Sequence, residues 1–141
     1  MADFYISLSD EEIASQIAAL VNANNQLLKT HNAASIRSSP AAYFIEVRGT
    51  AQVVGCAGLT KEYPGVSKIF HVCTHPAYRR QGIARKLVSL AMNNCKTENV
   101  YMTIREDNGP SLTMAASLGF QLIQRLWSAD HGVMVVGRRL L

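Results

Sequence analysis

Residues 72–87 read V-C-T-H-P-A-Y-R-R-Q-G-I-A-R-K-L, and this stretch organises the rest of the chain. It predicts the end of a β-strand, a tight turn and the first turns of an amphipathic helix. His75-Pro76 ends the strand because a proline pushes the residue before it away from helical geometry. Downstream, apolar residues recur at helical spacing and predict one buried helix face. They are Ile83, Leu87, Leu90 and Ala91, with Ala84 and Val88 beside them.

The turn between this strand and this helix has the features of a phosphate-binding site. The first amides of a helix have no intrahelical acceptor and point outward at the positive end of the helix dipole. Gly82 lets an anion approach the backbone, and the small Ala84 keeps the first turn uncrowded. Positive charge is added by arginines, namely Arg79, Arg80 and Arg85. Composition alone, however, also fits an ordinary basic surface turn.

The spacing of these residues is more specific than their composition. Arg79-x-x-Gly82-x-Ala84 fits the pattern R/Q-x-x-G-x-G/A. Together with the surrounding P-x-Y-R-R-Q-G-I-A, it resembles the acetyl-CoA signature of the GNAT family of N-acetyltransferases. In that family, successive amides of this turn hold the CoA pyrophosphate.

A second resemblance to the same family lies downstream. Asn108-x-x-Ser111, followed by Leu118-Gly119-Phe120, is similar to the family's N-x-x-A…L-G-F segment. Two motifs in the family's order and separation are more specific than either alone. The resemblance covers residues 43–141, and more weakly the part before them.

The hydrophobic patterns predict strands and helices in one domain over residues 1–141. The predicted strands are 4–8, 43–47, 52–59, 66–74, 100–104, 120–127 and 133–138. A first helix follows a capping box formed by Ser9 and Glu12, and it buries Ile13, Ile17, Leu20 and Val21. Residues 22–39 predict a short second helix or an irregular lid, with a brief apolar pair at Leu27-Leu28. A fourth helix covers residues 108–118, with Gly119 as its left-handed end.

The order of these elements predicts an α+β fold. The strands at Val72 and Val100 are joined by one helix, which is a βαβ unit, so they are expected to be parallel with a right-handed crossover. The sequence therefore predicts a mixed, twisted sheet of six to seven strands, flanked by about four helices. The resemblance implies the same GNAT-like fold.

The resemblance implies an acetyl-CoA-dependent N-acetyltransferase acting on a primary amine. Acetyl-CoA would be the cosubstrate, and the acceptor would be a small molecule or a protein that attacks the thioester directly. Backbone groups at the end of the strand would bond the pantetheine arm, and that of Thr74 would stabilise the oxyanion. The expected cofactor-binding residues are Val72, Cys73, Thr74, Arg79, Arg80, Gln81, Gly82, Ile83, Ala84, Arg85, Asn108 and Ser111.

The attacking amine needs a base, because an alkylammonium is mostly protonated at neutral pH. No carboxylate lies on the strand over residues 66–74, where relatives often keep a glutamate. His71 is the best local candidate, since imidazole titrates near neutrality and alternation places it opposite Val72. A structural histidine is the competing interpretation, and Glu46 and Glu62 are weaker alternatives.

Two other residues bear on the mechanism. An acetyl-cysteine on Cys73 would need a lowered pKa and an adjacent base, so direct transfer is simpler. In the family segment that Asn108 begins, a tyrosine seven positions later protonates the departing thiolate, but this chain has Ala115 there. A thiolate is a tolerable leaving group near neutral pH, so we expect an active enzyme whose sulfur is protonated by water, with Ser111 available to hold it.

Composition restricts the other possibilities. The chain has 141 residues, is 48% hydrophobic and 17% charged, and carries a formal net charge of +4. These values predict a folded protein. No run approaches the roughly 20 apolar residues that a membrane span needs, so none is expected. Nothing at the N-terminus resembles a signal peptide, so a cytoplasmic location is expected. The cysteines and histidines lack metal-ligand spacing, which predicts no metal site.

Other functions remain open on the sequence. A non-catalytic acyl-CoA-binding module would keep Gly82 and Ala84 without acceptor chemistry. A nucleic-acid-directed protein, such as an acetylase of aminoacyl-tRNA, would need a contiguous basic face. The residues available for that face are Arg37, Lys61, Arg105, Arg138 and Arg139. A homodimer is a further possibility that the sequence leaves open.

Overall fold

The computed structural model describes residues 8–24 and 30–141. Predicted features at residues 4–7 and at Leu27-Leu28 therefore lie outside the described residues. The elements are α1 Asp10–Asn24, α2 Ala33–Ser38, β1 Ala42–Arg48, β2 Gln52–Tyr63, β3 Val66–Thr74, α3 Ile83–Asn93, β4 Asn99–Arg105, α4 Gly109–Ser117, β5 Gln121–Ser128 and β6 Gly132–Leu140. In this part of the chain, no helix is long and apolar enough to cross a membrane.

The strands form one mixed sheet in the order β1-β2-β3-β4-β6-β5. Only β3 and β4 pair in parallel, and α3 connects them, as predicted for a βαβ unit. All other neighbouring strands are antiparallel. Six strands and four α-helices in the described residues confirm the predicted α+β fold.

The parallel pair is short, and this positions the site. β3 pairs with β4 only from Val66 to Lys68, opposite Asn99 to Tyr101. Beyond Lys68, β3 keeps its antiparallel partner β2 on one side, and β4 keeps β6 on its far side. The facing edges of β3 and β4 therefore separate toward their carboxyl ends and leave a gap in the middle of the sheet.

A bulge in β3 lies beside this gap. Cys56 pairs with Cys73 and Gly58 pairs with Phe70, so β3 has one residue more than β2 between the two pairs. His71 lies in this bulge with a φ of 51°, in the left-handed region that non-glycine residues seldom adopt. In a regular strand, side chains alternate between the two faces of the sheet. The bulge changes the direction of the His71 side chain from the one that this alternation would give.

The core divides between the two faces of the sheet. α1 and α2 cover one face through buried residues that include Ile17, Val21, Ile36, Cys56 and Cys73. α3 and α4 cover the other face in two clusters, which include Ile69, Leu87, Val88, Val100 and Ala115. The turn between β3 and α3 leads into the face covered by α3 and α4, whereas the aromatic residues around His71, described below, lie on the face covered by α1 and α2.

Most predicted helix features are present, with corrections. The Ser9 hydroxyl accepts from the Glu12 amide at 3.1 Å, which confirms the predicted cap of α1. Gly119 follows α4 with a φ of 90°. Leu90 was predicted to be buried but is exposed, because α3 buries the side that carries Val88 instead. Of residues 22–39, the first three belong to the end of α1, and the predicted second helix is present as α2.

The strand boundaries also differ from the predicted ones. β2 continues to Tyr63, whereas the prediction ended it at Leu59. Residues 60–63 are polar and largely exposed, but they pair with the start of β3, so the hairpin turn is reduced to Pro64 and Gly65. Backbone pairing extends the strand there without a buried side-chain face.

The close approach of α3 to the sheet depends on Gly55 in β2. A Cβ atom added at Gly55 would lie 2.6 Å from Cγ2 of Ile83 and 3.2 Å from Cδ1 of Leu87. Both side chains are buried, so neither has free space into which it can move. Gly55 therefore allows the first turn of α3 to pack directly on β2.

We expect Gly55→Ala to lower the free energy of unfolding by about 1–3 kcal/mol, because it overpacks this contact. Gly109→Ala is the matched control, since a Cβ there meets no atom within 4 Å. It should change stability by no more than about 0.5 kcal/mol, or stabilise α4 slightly. Urea unfolding of both variants measures the difference, and equal effects would contradict the packing argument.

Candidate active site

The turn between β3 and α3 is built from local hydrogen bonds and unusual backbone angles. Nδ1 of His75 accepts from the Ala77 amide at 3.1 Å and caps a short 3-10 turn over Pro76–Tyr78. Arg80 and Gly82 then adopt left-handed φ values of 65° and 73°. These two reversals bring the chain abruptly from the end of the strand into the helix.

The backbone amides of residues 80–85 make no hydrogen bond within the described part of the chain. The first helical bond of α3 runs from the Lys86 amide to the Gly82 carbonyl at 3.0 Å. A Cβ added at Gly82 would meet no atom within 4 Å, so the space beside this residue is open. Successive free amides at a helix N-terminus can bind an anion such as a phosphate.

The side chains around this turn are held by neighbours. Arg79 donates to Oδ1 of Asn24 at 2.9 Å, at the end of α1. Arg85, predicted to contact phosphate, donates to the Ser117 hydroxyl at the end of α4. Arg80 is exposed and makes no side-chain hydrogen bond or ion pair within the described residues, so it is the arginine most available to an anion.

Ile83 and Gln81 contribute to the turn in different ways. The Ile83 side chain is buried against Gly55, so only its backbone amide is available to a ligand. Gln81 accepts from Nη1 of Arg48 at 3.4 Å, while Ala84 lies half-buried on the first turn of α3. The predicted residues therefore lie together in one turn. Their backbone amides, rather than the side chains of Ile83 and Gln81, are the groups that could bind a ligand there.

Val72, Cys73 and Thr74 form the end of β3 beside the gap. Val72 packs toward α3, and Cys73 packs toward α1 on the opposite face. Because pairing with β4 stops at Lys68, the backbone edge of these residues that faces β4 has no strand partner in the described residues. Backbone groups on that edge are placed to bond an extended ligand that lies in the gap.

The environment of Cys73 argues against a covalent role. Its thiol is buried in the cluster beneath α1 and faces Cys56 across the β2–β3 pair. Hydrogen bonding from Cys56 and the charge of Arg79 lower the pKa of Cys73, while the Cys56 pKa is raised by the Cys73 contact and by burial. A lowered pKa without access to the gap does not make a nucleophile.

His71 lies in a cluster of aromatic side chains on the α1–α2 face. Its Nδ1 is 2.8 Å from the hydroxyl oxygen of Tyr43. The His71 ring centroid lies 4.5 Å from that of Phe70, and 4.8 Å from that of His31 in an edge-on contact. The sequence identified His71 but gave no signal for Tyr43, Phe70 or His31.

His31 is fixed to α1 although it lies outside any helix. The Asn22 side chain accepts from the His31 amide at 2.8 Å and donates to the His31 carbonyl at 2.8 Å. The Oγ of Ser35 lies 3.3 Å from Nδ1 of His31. The segment between α1 and α2 therefore contributes a positioned imidazole to this cluster.

The alternative bases are poorly placed. Glu46 accepts from Lys86 at 2.8 Å and from Arg48 at 2.9 Å. These hydrogen bonds lower the pKa of Glu46, so it is a weak base that ties β1 to α3. Glu62 is exposed near the β2–β3 turn, where β3 and β4 are still paired, and lies away from the gap.

The second motif has a structural explanation as well. Oδ1 of Asn108 accepts from the Ser111 amide at 3.2 Å, so Asn108 caps α4. Ala115 is fully buried in the cluster beneath α3 and α4. The position where the resemblance implies a proton-donating tyrosine is therefore closed to solvent, which leaves no space there for a water held by Ser111.

Two further features of the sequence are the possible metal ligands and the basic residues of β6. No group of three His, Cys, Asp or Glu side chains able to hold a metal occurs among the described residues. Arg138 donates to Asn99, while Arg139 lies against Gly119 and Met92. Successive residues of a strand point to opposite faces, so this pair does not form one basic surface.

Known proteins share this sequence pattern and architecture. RimI, an N-alpha-acetyltransferase from Mycobacterium tuberculosis, is 28% identical over 89 residues, which covers 61% of this chain and 56% of RimI. This chain therefore spans just over half the length of that relative. The ribosomal-protein-alanine N-acetyltransferase from Brucella melitensis has a similar structure, with a TM-score of 0.78, 15% identity and coverage of 95% of this chain and 97% of that one.

A structure determined with a ligand has the same fold. Rv2747 from Mycobacterium tuberculosis, solved in complex with CoA and NLQ, matches with a TM-score of 0.76 and 16% identity, over 93% of this chain and 95% of that one. The sequence profile of the acetyltransferase (GNAT) family matches residues 7–120. Since this match covers well over half of the 141 residues, the chain belongs to the acetyltransferase (GNAT) family.

Proposed function

We propose that the chain transfers an acetyl group from acetyl-CoA to a primary amine by direct attack of the amine on the thioester. The observation that carries this proposal is the row of amides at residues 80–85, which have no hydrogen-bond acceptor within the described residues and follow the strand that borders the gap between β3 and β4. The space beside the Gly82 Cα is open, which is compatible with close approach of an anion to the backbone. Membership of the GNAT family supports the same activity.

Acetyl-CoA supplies an activated acetyl group, and this chain's residues hold it. The amides of residues 80–85, with Arg79 and Arg80, bind the pyrophosphate. The free edge of Val72, Cys73 and Thr74 bonds the extended arm, and the Thr74 backbone stabilises the negative charge that develops on the carbonyl oxygen. Arg85 is held near the CoA site by its hydrogen bond to the Ser117 hydroxyl. Asn108 and Ser111, at the start of α4, form the side of the CoA site opposite the turn.

His71 accepts the proton of the attacking amine in this proposal. It lies in the β3 bulge on the acceptor side, where Tyr43, Phe70 and His31 surround it. Because Ala115 is buried and has no proton to give, the departing sulfur takes its proton from water that enters through the gap. This leaves the chain without a side-chain acid at that position, which a thiolate leaving group tolerates.

Our choice of the acceptor amine is based on the names of similar proteins, not on the shape of a pocket in this structure. RimI is named an N-alpha-acetyltransferase and the Brucella melitensis enzyme a ribosomal-protein-alanine N-acetyltransferase, so the α-amine of a polypeptide is our first candidate, and small amines are the second. The free thiols of Cys56, Cys73 and Cys95 support action in a reducing compartment such as the cytoplasm. The dispersed arginines give less support to an aminoacyl-tRNA acceptor.

A panel of amines tests the proposal directly. Thiol release from acetyl-CoA is followed with peptides bearing free N-termini, with the same peptides N-acetylated, and with polyamines. We expect turnover only with free amines. If acetyl-CoA binds but no amine increases thiol release, the chain is an acyl-CoA-binding module and the enzymatic proposal is wrong.

We expect Gly82→Ala to weaken CoA binding by about tenfold or more, which corresponds to about 1.4 kcal/mol. In the proposed function a phosphate lies close to the Gly82 backbone, and an added methyl group would hinder that approach. Gly65→Ala is the matched control, because Gly65 has a similar φ of 78° and equally open surroundings in the β2–β3 turn. Calorimetry that gives equal CoA affinities for the two variants would refute the assignment of this turn.

We expect His71→Ala to reduce kcat by about a hundredfold near neutral pH, where the amine is protonated. The loss should shrink as the pH approaches the amine's own pKa, since deprotonated amine then needs no base. His131→Ala, in the β5–β6 turn, is the control and should leave turnover unchanged. A pH–rate profile of His71→Ala that parallels the wild type would show a structural role.

We expect Ser111→Ala to change kcat by less than about twofold, because its side chain is not needed to protonate sulfur. The Ser111 amide, rather than its hydroxyl, is engaged by Asn108, so the cap of α4 persists in the variant. Steady-state rates with the best amine of the panel measure the effect. A loss of more than tenfold would assign the proton transfer to Ser111.

A further inference from the structure

The guanidinium of Arg79 is attached to the last turn of α1, although the two residues that form the contact are 55 positions apart in sequence. Nη2 of Arg79 donates to Oδ1 of Asn24 at 2.9 Å. The Asn24 amide is itself held, since its Nδ2 donates to the Leu20 carbonyl at 2.7 Å. A guanidinium can only donate and a carbonyl can only accept, so both neighbours require the same orientation of this amide. Asn24 therefore presents its oxygen to Arg79 from a fixed position.

The end of α1 also suits a positive charge. The last carbonyl groups of a helix have no intrahelical donor and lie at the negative end of the helix dipole. No residue in the last turn of α1 is basic. Arg79 supplies this charge from the turn between β3 and α3, so the helix end and the Asn24 amide favour the same position of the guanidinium.

We propose that Asn24 is a positioning residue for Arg79 and holds its guanidinium ready for the phosphate groups of CoA. This inference rests on the proposed function, in which the turn before α3 binds the pyrophosphate. Asn24 does not touch the cofactor in this scheme and acts through Arg79.

An amide partner leaves the charge of Arg79 available to a phosphate. Elsewhere in the chain, arginines are paired with carboxylates, as Arg37 is with Glu11, and such a partner offsets their charge. The oxygen of Asn24 is neutral, and it engages one N–H group of the guanidinium. Within the described residues, Asn24 is the only hydrogen-bond partner of the Arg79 side chain. The guanidinium is thus held in place and keeps further donors for an anion.

The backbone of Arg79 is fixed as well. Its amide donates to the Pro76 carbonyl at 3.5 Å at the end of the 3-10 turn, and the left-handed Arg80 follows. The flexible part of the Arg79 side chain therefore spans two held points. Ordering a free arginine when a ligand binds costs conformational entropy, and a side chain that is ordered beforehand loses less. By this route Asn24 strengthens the binding of CoA.

Calorimetry with CoA tests the proposal without an acceptor amine. We expect Asn24→Ala to weaken CoA binding by about threefold to tenfold, which is the effect of leaving one arginine side chain to be ordered by the ligand. Asn94→Ala is the matched control. Asn94 lies at the end of α3, and its Nδ2 donates to the Leu90 carbonyl at 2.8 Å, but its amide holds no arginine within the described residues. Its removal should leave the CoA affinity unchanged.

A double-mutant cycle shows whether the effect passes through Arg79. In the Arg79→Ala background, Asn24→Ala should change the CoA affinity by less than about twofold. In turnover assays with an active amine, Asn24→Ala should raise the KM for acetyl-CoA and leave kcat unchanged, because it affects binding of the cofactor equally in the ground state and the transition state. A merely structural role of Asn24 would give equal losses of affinity in both backgrounds and would refute the proposal.

The calorimetric result separates this inference from the proposed function. If Asn24→Ala binds CoA as tightly as the wild type, or more tightly, Asn24 does not prepare Arg79 for the phosphate, and the inference alone is wrong. If the wild-type protein binds no CoA, the proposed function is wrong and this inference fails with it.

Discussion

The contact between Ile83 and Gly55 is the constraint on which the site depends. Because β2 has no side chain at residue 55, the Ile83 side chain is buried against the strand, and α3 begins directly above the sheet. A helix that starts there has its first amides pointing away from the core, at the edge where β3 ends. The phosphate turn is thus held in place by apolar packing beneath it, and its polar groups remain free for a ligand.

A second constraint is the way in which β3 leaves its parallel partner. After Lys68, β3 gains one residue relative to β2 and no longer pairs with β4, so the strand keeps hydrogen bonds on one edge and loses them on the other. An unpaired backbone edge inside a sheet is costly unless a ligand or water bonds it. His71, in the bulge that follows Lys68, lies within hydrogen-bonding distance of Tyr43, so the end of the parallel pairing and the aromatic cluster are separated by only a few residues of β3.

Local features were predictable from the sequence, and distant ones were not. The turn at Gly82, the cap at Ser9 and the left-handed Gly119 depend on neighbouring residues, so their spacing alone was sufficient. The exposure of Leu90 was mispredicted because helical spacing allows two overlapping faces, and packing against the sheet and α4 selected the one with Val88. Tyr43 and His31 approach His71 only through the strand register and the Asn22 bonds, so no local pattern marked them as members of the site.

The turn before α3 and the aromatic cluster around His71 lie on opposite faces of one sheet. The turn before α3 is stabilised by the cores beneath α3 and α4, whereas the aromatic cluster lies beside the core beneath α1 and α2 and is contacted by His31. The sheet separates these two packed faces, and the gap between β3 and β4 is where they come closest without a paired strand between them. Under the proposed function, substitutions around the aromatic cluster would change which amine is accepted while the handling of CoA stays the same, so one scaffold could acquire new acceptors by diversifying only this face.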